Sequence, residues 1–175
     1  GWPQMTGSDN RLTTPALADL DADGNLEVIV GSIDGRVYVY DHQGTPVTGW
    51  PQATGGALYA TPAVADLHGD GALQVVACSY DGQTYAWHHD GTLVAGWPQF
   101  TGRSDASPLL VDLTCSGTAC ALTRPRASEA TADGGREVVV VSQKGRFSAF
   151  HADGSLVTGW PLTVTGRFVA SPAAA

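Results

Sequence analysis

The sequence predicts an all-β fold of four-stranded antiparallel sheets. Three observations carry that expectation: a recurring Trp-Pro motif, β-branched and aromatic runs between Gly-centred turns, and the lack of any window with a helical period. "GWPQ" begins at Gly1, Gly49 and Gly96, and "GWPL" begins at Gly159. Trp2, Trp50 and Trp97 stand 48 and 47 residues apart, whereas the step on to Trp160 is 63, so the third unit carries an insertion, 115–132.

After each Trp-Pro the same elements follow in the same order. First come "TPALAD", "TPAVAD" and "SPLLVD", short apolar runs that end in Asp19, Asp66 and Asp112. The second segments are "EVIVGS", "QVVACS" and "EVVVVS", and the third are "RVYVYD", "QTYAWH" and "RFSAFH", compositions that suit strands. "IDGR", "YDGQ" and "QKGR" join second to third, and "HQGT", "HDGT" and "ADGS" follow the third, supplying the Gly-containing turns that hairpins need. The fourth strand is expected around "PVTGWP", "LVAGWP" and "LVTGWP". A lone sheet of this kind cannot bury both faces, and a period of about 40 to 50 residues with four strands per unit marks a β-propeller, in which the sheets stack radially.

The blade repeats run about 1–48, 49–95 and 96–158, with a truncated unit at 159–175, where "SPAAA" reopens the first segment. The Trp of each repeat is expected to wedge between neighbouring blades. Three complete blades seldom close a ring, because propellers have about 4 to 8. A piece of a larger propeller is expected, or an open one that associates through its blade ends.

Charge and composition narrow the function. With 17 acidic and 9 basic residues the net charge is -8, and the cations do not cluster, which disfavours nucleic acid as a partner. The apolar runs are too short to span a bilayer. Cys115 and Cys120 in "CSGTAC" are close enough to close a small loop by a disulfide, with Cys78 a buried free thiol; three reduced, small, apolar side chains are the other reading. A disulfide implies an oxidising compartment.

The stretch "DLDADGNLE" holds the most chemistry. Asp19, Asp21 and Asp23 take positions one, three and five, Gly24 allows a sharp turn at six, Asn25 can offer its backbone carbonyl at seven, and Glu27 closes at nine. Ca²⁺ seeks six to eight oxygens in flexible geometry, and the loop offers them with a formal charge of about −4. Leu20 and Leu26 are expected to alternate inward while the carboxylates face the ion. In "DLHGDGALQ", Asp66 and Asp70 keep positions one and five, but His68 and Gln74 have replaced the acids at three and nine. In the third unit Asp112, Asp133 and Glu137 match positions one, five and nine, with the insertion between.

These residues resemble the FG-GAP, or VCBS, repeat, the blade unit of the integrin alpha-chain propeller and of many secreted bacterial proteins. The resemblance implies calcium at Asp19, Asp21, Asp23, Asn25 and Glu27, and carries only in part to the second and third loops. It also implies an extracellular or cell-surface setting and a protein or glycan ligand. A non-catalytic, calcium-stabilised module for binding or display is the leading expectation. A carbohydrate-binding lectin, for which Trp87 would be the ligand-binding platform, or an accessory domain of an extracellular hydrolase or lyase is the alternative. No Ser, His and Asp set with a nucleophile elbow is present. His42, His88, His89 and His151 end the third strands, where adjacent blades would hold them too far apart for a zinc cluster.

Overall fold

The computed structural model describes residues 1–8, 13–113 and 135–166. The Cys115–Cys120 pairing, the 115–132 insertion, Asp133 and the inner-strand remnant at 171–175 lie outside the described residues.

Among the described residues there is no helix, and the strands form three sheets of four. The first contains β1 (Ala16–Ala18), β2 (Glu27–Gly31), β3 (Arg36–Tyr40) and β4 (Gln52–Ala53). The second contains β5 (Ala63–Ala65), β6 (Gln74–Cys78), β7 (Gln83–His88) and β8 (Gln99–Phe100). The third contains β9 (Leu109–Val111), β10 (Glu137–Val141), β11 (Arg146–Phe150) and β12 (Leu162–Thr163). Each is an antiparallel meander in chain order. The registers are equivalent: Val28 faces Tyr40, Val75 faces Trp87, and Val138 faces Phe150. The first strands β1, β5 and β9 contact one another, so each sheet is a blade with its first strand innermost.

The fourth strand departs from the sequence expectation. The "PVTGWP" stretch makes only an isolated bridge, Tyr40 to Pro46, and then turns; the true outer strand begins after Trp-Pro, at Gln52. The same holds at Leu93 and Leu156. Gly49 and Gly96 explain the turn: both adopt positive φ, 89° and 87°, and a Cβ at either would strike the Asp90 or Asp153 carbonyl oxygen of the next blade. The sequence repeat and the structural blade are therefore out of phase.

The core lies between blades. Leu20, Ile29, Val37, Val39, Trp50 and Leu58 from the first blade and its connection join Val75, Ala77, Tyr85 and Trp87 of the second. The other face of the second blade contributes Val76, Cys78, Ala86, Val94 and Trp97 to a cluster with Val138, Val140 and Phe150 of the third. Hence all five residues of β6 are buried, as a strand covered on both faces must be.

One joint recurs at each interface. The Trp50 indole N–H donates to the His89 carbonyl at 2.9 Å while its ring meets Trp87 edge-on, centroids 5.8 Å apart. Trp97 repeats this with Ala152 at 2.8 Å and Phe150 at 5.6 Å. Trp2 repeats it with His42 at 3.2 Å and Tyr40 at 5.8 Å. The burial differs sharply: Trp50 is 7% and Trp97 6% exposed, against 49% for Trp2.

A second tie was not visible in the sequence. Tyr38 donates to Asp34 at 2.7 Å and accepts the Gly7 N–H at 2.9 Å; Tyr85 donates to Asp81 at 2.7 Å, and Gly55 N–H reaches Asp81 at 2.9 Å. Each pair anchors the Thr-Gly segment that crosses from the preceding outer strand. The third blade has Lys144 and Ser148 at these positions.

Trp50→Ala and Trp97→Ala should each lower the unfolding free energy by about 3–5 kcal/mol, the usual cost of deleting a buried indole. Trp2→Ala should cost about 1 kcal/mol or less, as at other exposed positions. Urea titration of the three variants checks this, and equal losses at all three positions would contradict the joint described.

Candidate metal centre

The acidic loop joins the innermost strand β1 to β2, and strand alternation decides which side chain turns inward. Glu27 opens β2 facing the core, 3% exposed, while Leu26 points outward at 51%. The expected inward pair is thus only half right: Leu20 is buried at 5%, but its companion is the carboxylate and not Leu26. Glu27 is tied down, because the Leu20 N–H donates to its Oε2 at 2.7 Å.

Asp19 organises the rest. Its Oδ1 accepts the Asp23 N–H at 3.1 Å and its Oδ2 accepts the Gly24 N–H at 3.1 Å, folding the loop over one carboxylate. Gly24, with φ 89°, and Ala22, with φ 61°, make the reversal. One ligand atom each from Asp19, Asp21 and Glu27 lie within 4.8 Å of one another, the one such group among the described residues. Asp23 stands outside it. Asp23 turns away and accepts both the Asn25 backbone N–H, at 2.7 Å, and the Asn25 Nδ2, at 3.1 Å.

The electrostatics are those of an unanswered anion cluster. Burial pushes the Glu27 carboxyl above its usual range of 4.5; the Leu20 N–H opposes this, and Asp21, Asp23 and Asp19 add to the rise. Asp23 moves the other way, held below 3.8 chiefly by the Asn25 backbone N–H. A buried carboxylate flanked by two acids, with hard oxygen donors only, fits a divalent cation of the calcium type better than a softer metal.

The second loop has the same frame with two fewer acids. Asp66 accepts N–H groups from Asp70 at 3.2 Å and Gly71 at 2.7 Å, matching Asp19. Gln74 accepts the Leu67 N–H at 2.7 Å, matching Glu27, but its amide nitrogen then donates to Ala72 O at 2.9 Å. Asp70 accepts the Ala72 N–H at 2.9 Å. At the ninth position this loop closes on itself through the neutral Gln74 amide.

In the third blade Glu137, 1% exposed, accepts the Leu113 N–H at 2.6 Å and faces His151 Nδ1 at 3.4 Å. Asp112 is half-buried just after β9. The ninth-position side chain therefore latches the second residue of the loop in every blade. Sequence reading weighed that position only for charge and missed the latch; the signal was the shared side-chain oxygen of Glu27, Gln74 and Glu137.

Two further expectations meet the structure here. Trp87 presents no platform: it is 1% exposed, stacked on Tyr85 at 5.4 Å and covered edge-on by Trp50. It is buried because its position faces the preceding blade, as Phe150 does in the next one. His88 and His151 occupy equivalent strand ends on different blades, and no histidine belongs to a three-ligand group among the described residues. Cys78 is buried, and burial pushes its thiol up to about 12, so it packs as an inert apolar side chain.

Radially stacked four-stranded blades with an acidic loop between first and second strands define a β-propeller. Residues 19–77, from that loop through most of β6, match the family model described as FG-GAP-like repeat. Similar solved structures include BamB from Moraxella catarrhalis, at 18% identity over 87% of this chain and 37% of that one, with a TM-score of 0.53. The C-terminal domain of PilY1 from Pseudomonas aeruginosa matches at 19% identity over 82% and 31%, TM-score 0.54. The computationally designed protein Ika4 matches at 15% identity over 93% and 85%, TM-score 0.53. At such identities these likenesses establish the fold alone. The chain spans less than half the length of the two natural structures. No curated protein matches it. No helix among the described residues is long and apolar enough to cross a membrane.

Because the folded-state pKa of Glu27 is raised, the cation-free protein is favoured where Glu27 is protonated and loses that advantage as pH climbs through the raised value. With a chelator present, Glu27→Gln should be more stable than the parent at neutral pH. The difference should shrink as pH falls through the raised Glu27 value and be absent below about 4.5. Thermal unfolding across pH checks this; a variant less stable than the parent at pH 7 would show that Gln cannot replace the latch.

Proposed function

We propose that the chain is a non-catalytic propeller module, stabilised by calcium and displayed outside the cell to bind a protein or glycan. One observation carries the reading: the fold gathers Asp19, Asp21 and Glu27 at the mouth of a hairpin loop inside the stretch matched to the FG-GAP-like repeat. Asp19 and Glu27 already hold backbone N–H groups, so these acids build the loop and are placed for structure, not for proton transfer. Calcium would neutralise the cluster and tie β1 to β2. Asp19, Asp21 and Glu27 would hold it, with Asp23 available once its contact to Asn25 is exchanged.

The site is open: Asp21, Asp23 and Asn25 are exposed. Few protein ligands and much solvent favour weak binding, in the range of about 10⁻⁴–10⁻³ M found in extracellular calcium modules. That range supports the extracellular reading, because such a site fills only where calcium is plentiful. With Trp87 buried, no observation favours the lectin alternative.

Thermal unfolding with and without calcium tests the proposal. Calcium should raise the midpoint of the parent and leave an Asp21→Ala, Asp23→Ala variant and Glu27→Gln unmoved. A parent insensitive to millimolar calcium would overturn the calcium role, and a dissociation constant near 10⁻⁷ M would overturn the extracellular one.

A further inference from the structure

Two positions of the blade change from oxygen to nitrogen donors in the second unit. The third position of the loop holds Asp21, His68 and Thr114 in turn, and the residue closing the third segment is Asp41, His88 and His151. Blade two alone of the three has histidine at both. His88 ends β7 directly opposite Gln74, the ninth residue of the loop, so the two side chains share one face of the sheet. The fold then brings the histidines together: the rings of His68 and His88 lie 6.2 Å apart between centroids, with 19° between their planes. His68 is exposed and His88 half-buried.

Both residues stand on fixed backbone. Asp66 Oδ1 accepts the N–H groups of His68 at 3.2 Å, Gly69 at 2.7 Å and Asp70 at 3.2 Å. The His88 N–H donates to Thr92 O at 2.9 Å, and its carbonyl accepts the Gly91 N–H at 3.0 Å. The nearby side chains bond elsewhere: Gln74 to Leu67 and Ala72, Asp70 to the Ala72 N–H, and Asp90 to Thr92. Among the described residues neither imidazole makes a hydrogen bond or an ion pair. His151, by contrast, faces Glu137, and the His42 ring meets Gln43 Nε2 at 3.3 Å.

We propose that His68 and His88 form a two-imidazole site for a divalent transition metal of the zinc and copper kind. Imidazole nitrogen suits these ions, whereas the oxygen donors of the first loop suit calcium. An ion about 2.0–2.1 Å from one nitrogen of each ring sets the centroids roughly 5–6 Å apart, so slight side-chain rotations from 6.2 Å close the site. Because the backbone under both rings is already held, little ordering has to be supplied on binding. No His, Cys, Asp or Glu joins them in a tight three-ligand group among the described residues, so water completes the coordination. The bound ion clamps the β5–β6 loop to the end of β7. Two loops of one design thus select different metals, and the second selection stands whether or not the first loop takes calcium.

Calorimetric titration of the 175-residue chain with Zn²⁺ in excess calcium, which occupies oxygen-donor sites, reads the outcome. One zinc should bind with a dissociation constant on the order of 10⁻⁵ M, as two ligands of the usual four allow. His68→Gln and His88→Gln should each weaken it on the order of a hundredfold, because the second imidazole acts as an intramolecular ligand. His89→Gln, at the exposed neighbour, should bind as the parent does. Zinc bound more weakly than about 10⁻³ M by the parent overturns the proposal. So does affinity kept by either His68→Gln or His88→Gln, or an equal loss in His89→Gln. Should either variant fail to fold, NMR of the parent decides: the ring signals of His68 and His88 moving together with one zinc support the site, and one moving without the other overturns it.

Discussion

The structure depends on one constraint: a four-stranded sheet with two apolar faces has to find a neighbour for each. β6 states the constraint most plainly, since its five residues are all buried and Val75 to Cys78 alternate between the clusters on either side of its blade. Everything that shapes the chain follows from meeting that demand with local connections. The outer segment of one blade carries the Trp that covers the next, so the covalent link and the packing contact are the same piece of chain. The indole N–H is satisfied by a turn carbonyl, which lets a polar group enter the interface without a desolvation cost.

The same alternation that builds the interfaces creates the acidic site. Once Ile29 faces the core, Glu27 two residues earlier must face it too, and a carboxylate arrives at the rim of an apolar interior. The three blades resolve that difficulty in three ways. The first gathers Glu27 with Asp19 and Asp21 into one acidic group. The second substitutes an amide that satisfies itself on Ala72. The third sets a histidine beside Glu137. The backbone N–H held by the ninth side chain is constant through all three, which separates the architectural role of the position from its electrostatic one.

Fold class and the meander order of the strands were legible because the repeat displays them several times over. A period, a pair of turns and a run of β-branched residues are each weak, but their recurrence at one spacing is not. The fourth strand was misplaced for a physical reason: "PVTGWP" has the apolar look of a strand, yet the positive φ of Gly49 turns it after one bridge. The acids of the first loop were legible as a set. Their division into a converging trio and an Asp23–Asn25 pair was not, because which way an exposed side chain turns depends on local amide donors that spacing does not encode. Trp87 departs from Tyr40 and Phe150 at its strand position, which left a ligand platform or packing between blades as its readings; its burial under Trp50 is the packing one.

The offset between sequence repeat and structural blade has a consequence for how such arrays change size. Every joint takes its indole from the outer segment of one blade and its ring and carbonyl from the next blade, and all three lie inside one Gly-Trp-Pro unit, as Trp50, Trp87 and His89 do. A genetic exchange that cuts at one Gly-Trp-Pro and rejoins at another leaves every joint whole within its unit. Whole units can then be added or removed with no new interface to invent, and divergence is left free to act on the loops, where these three units already differ most.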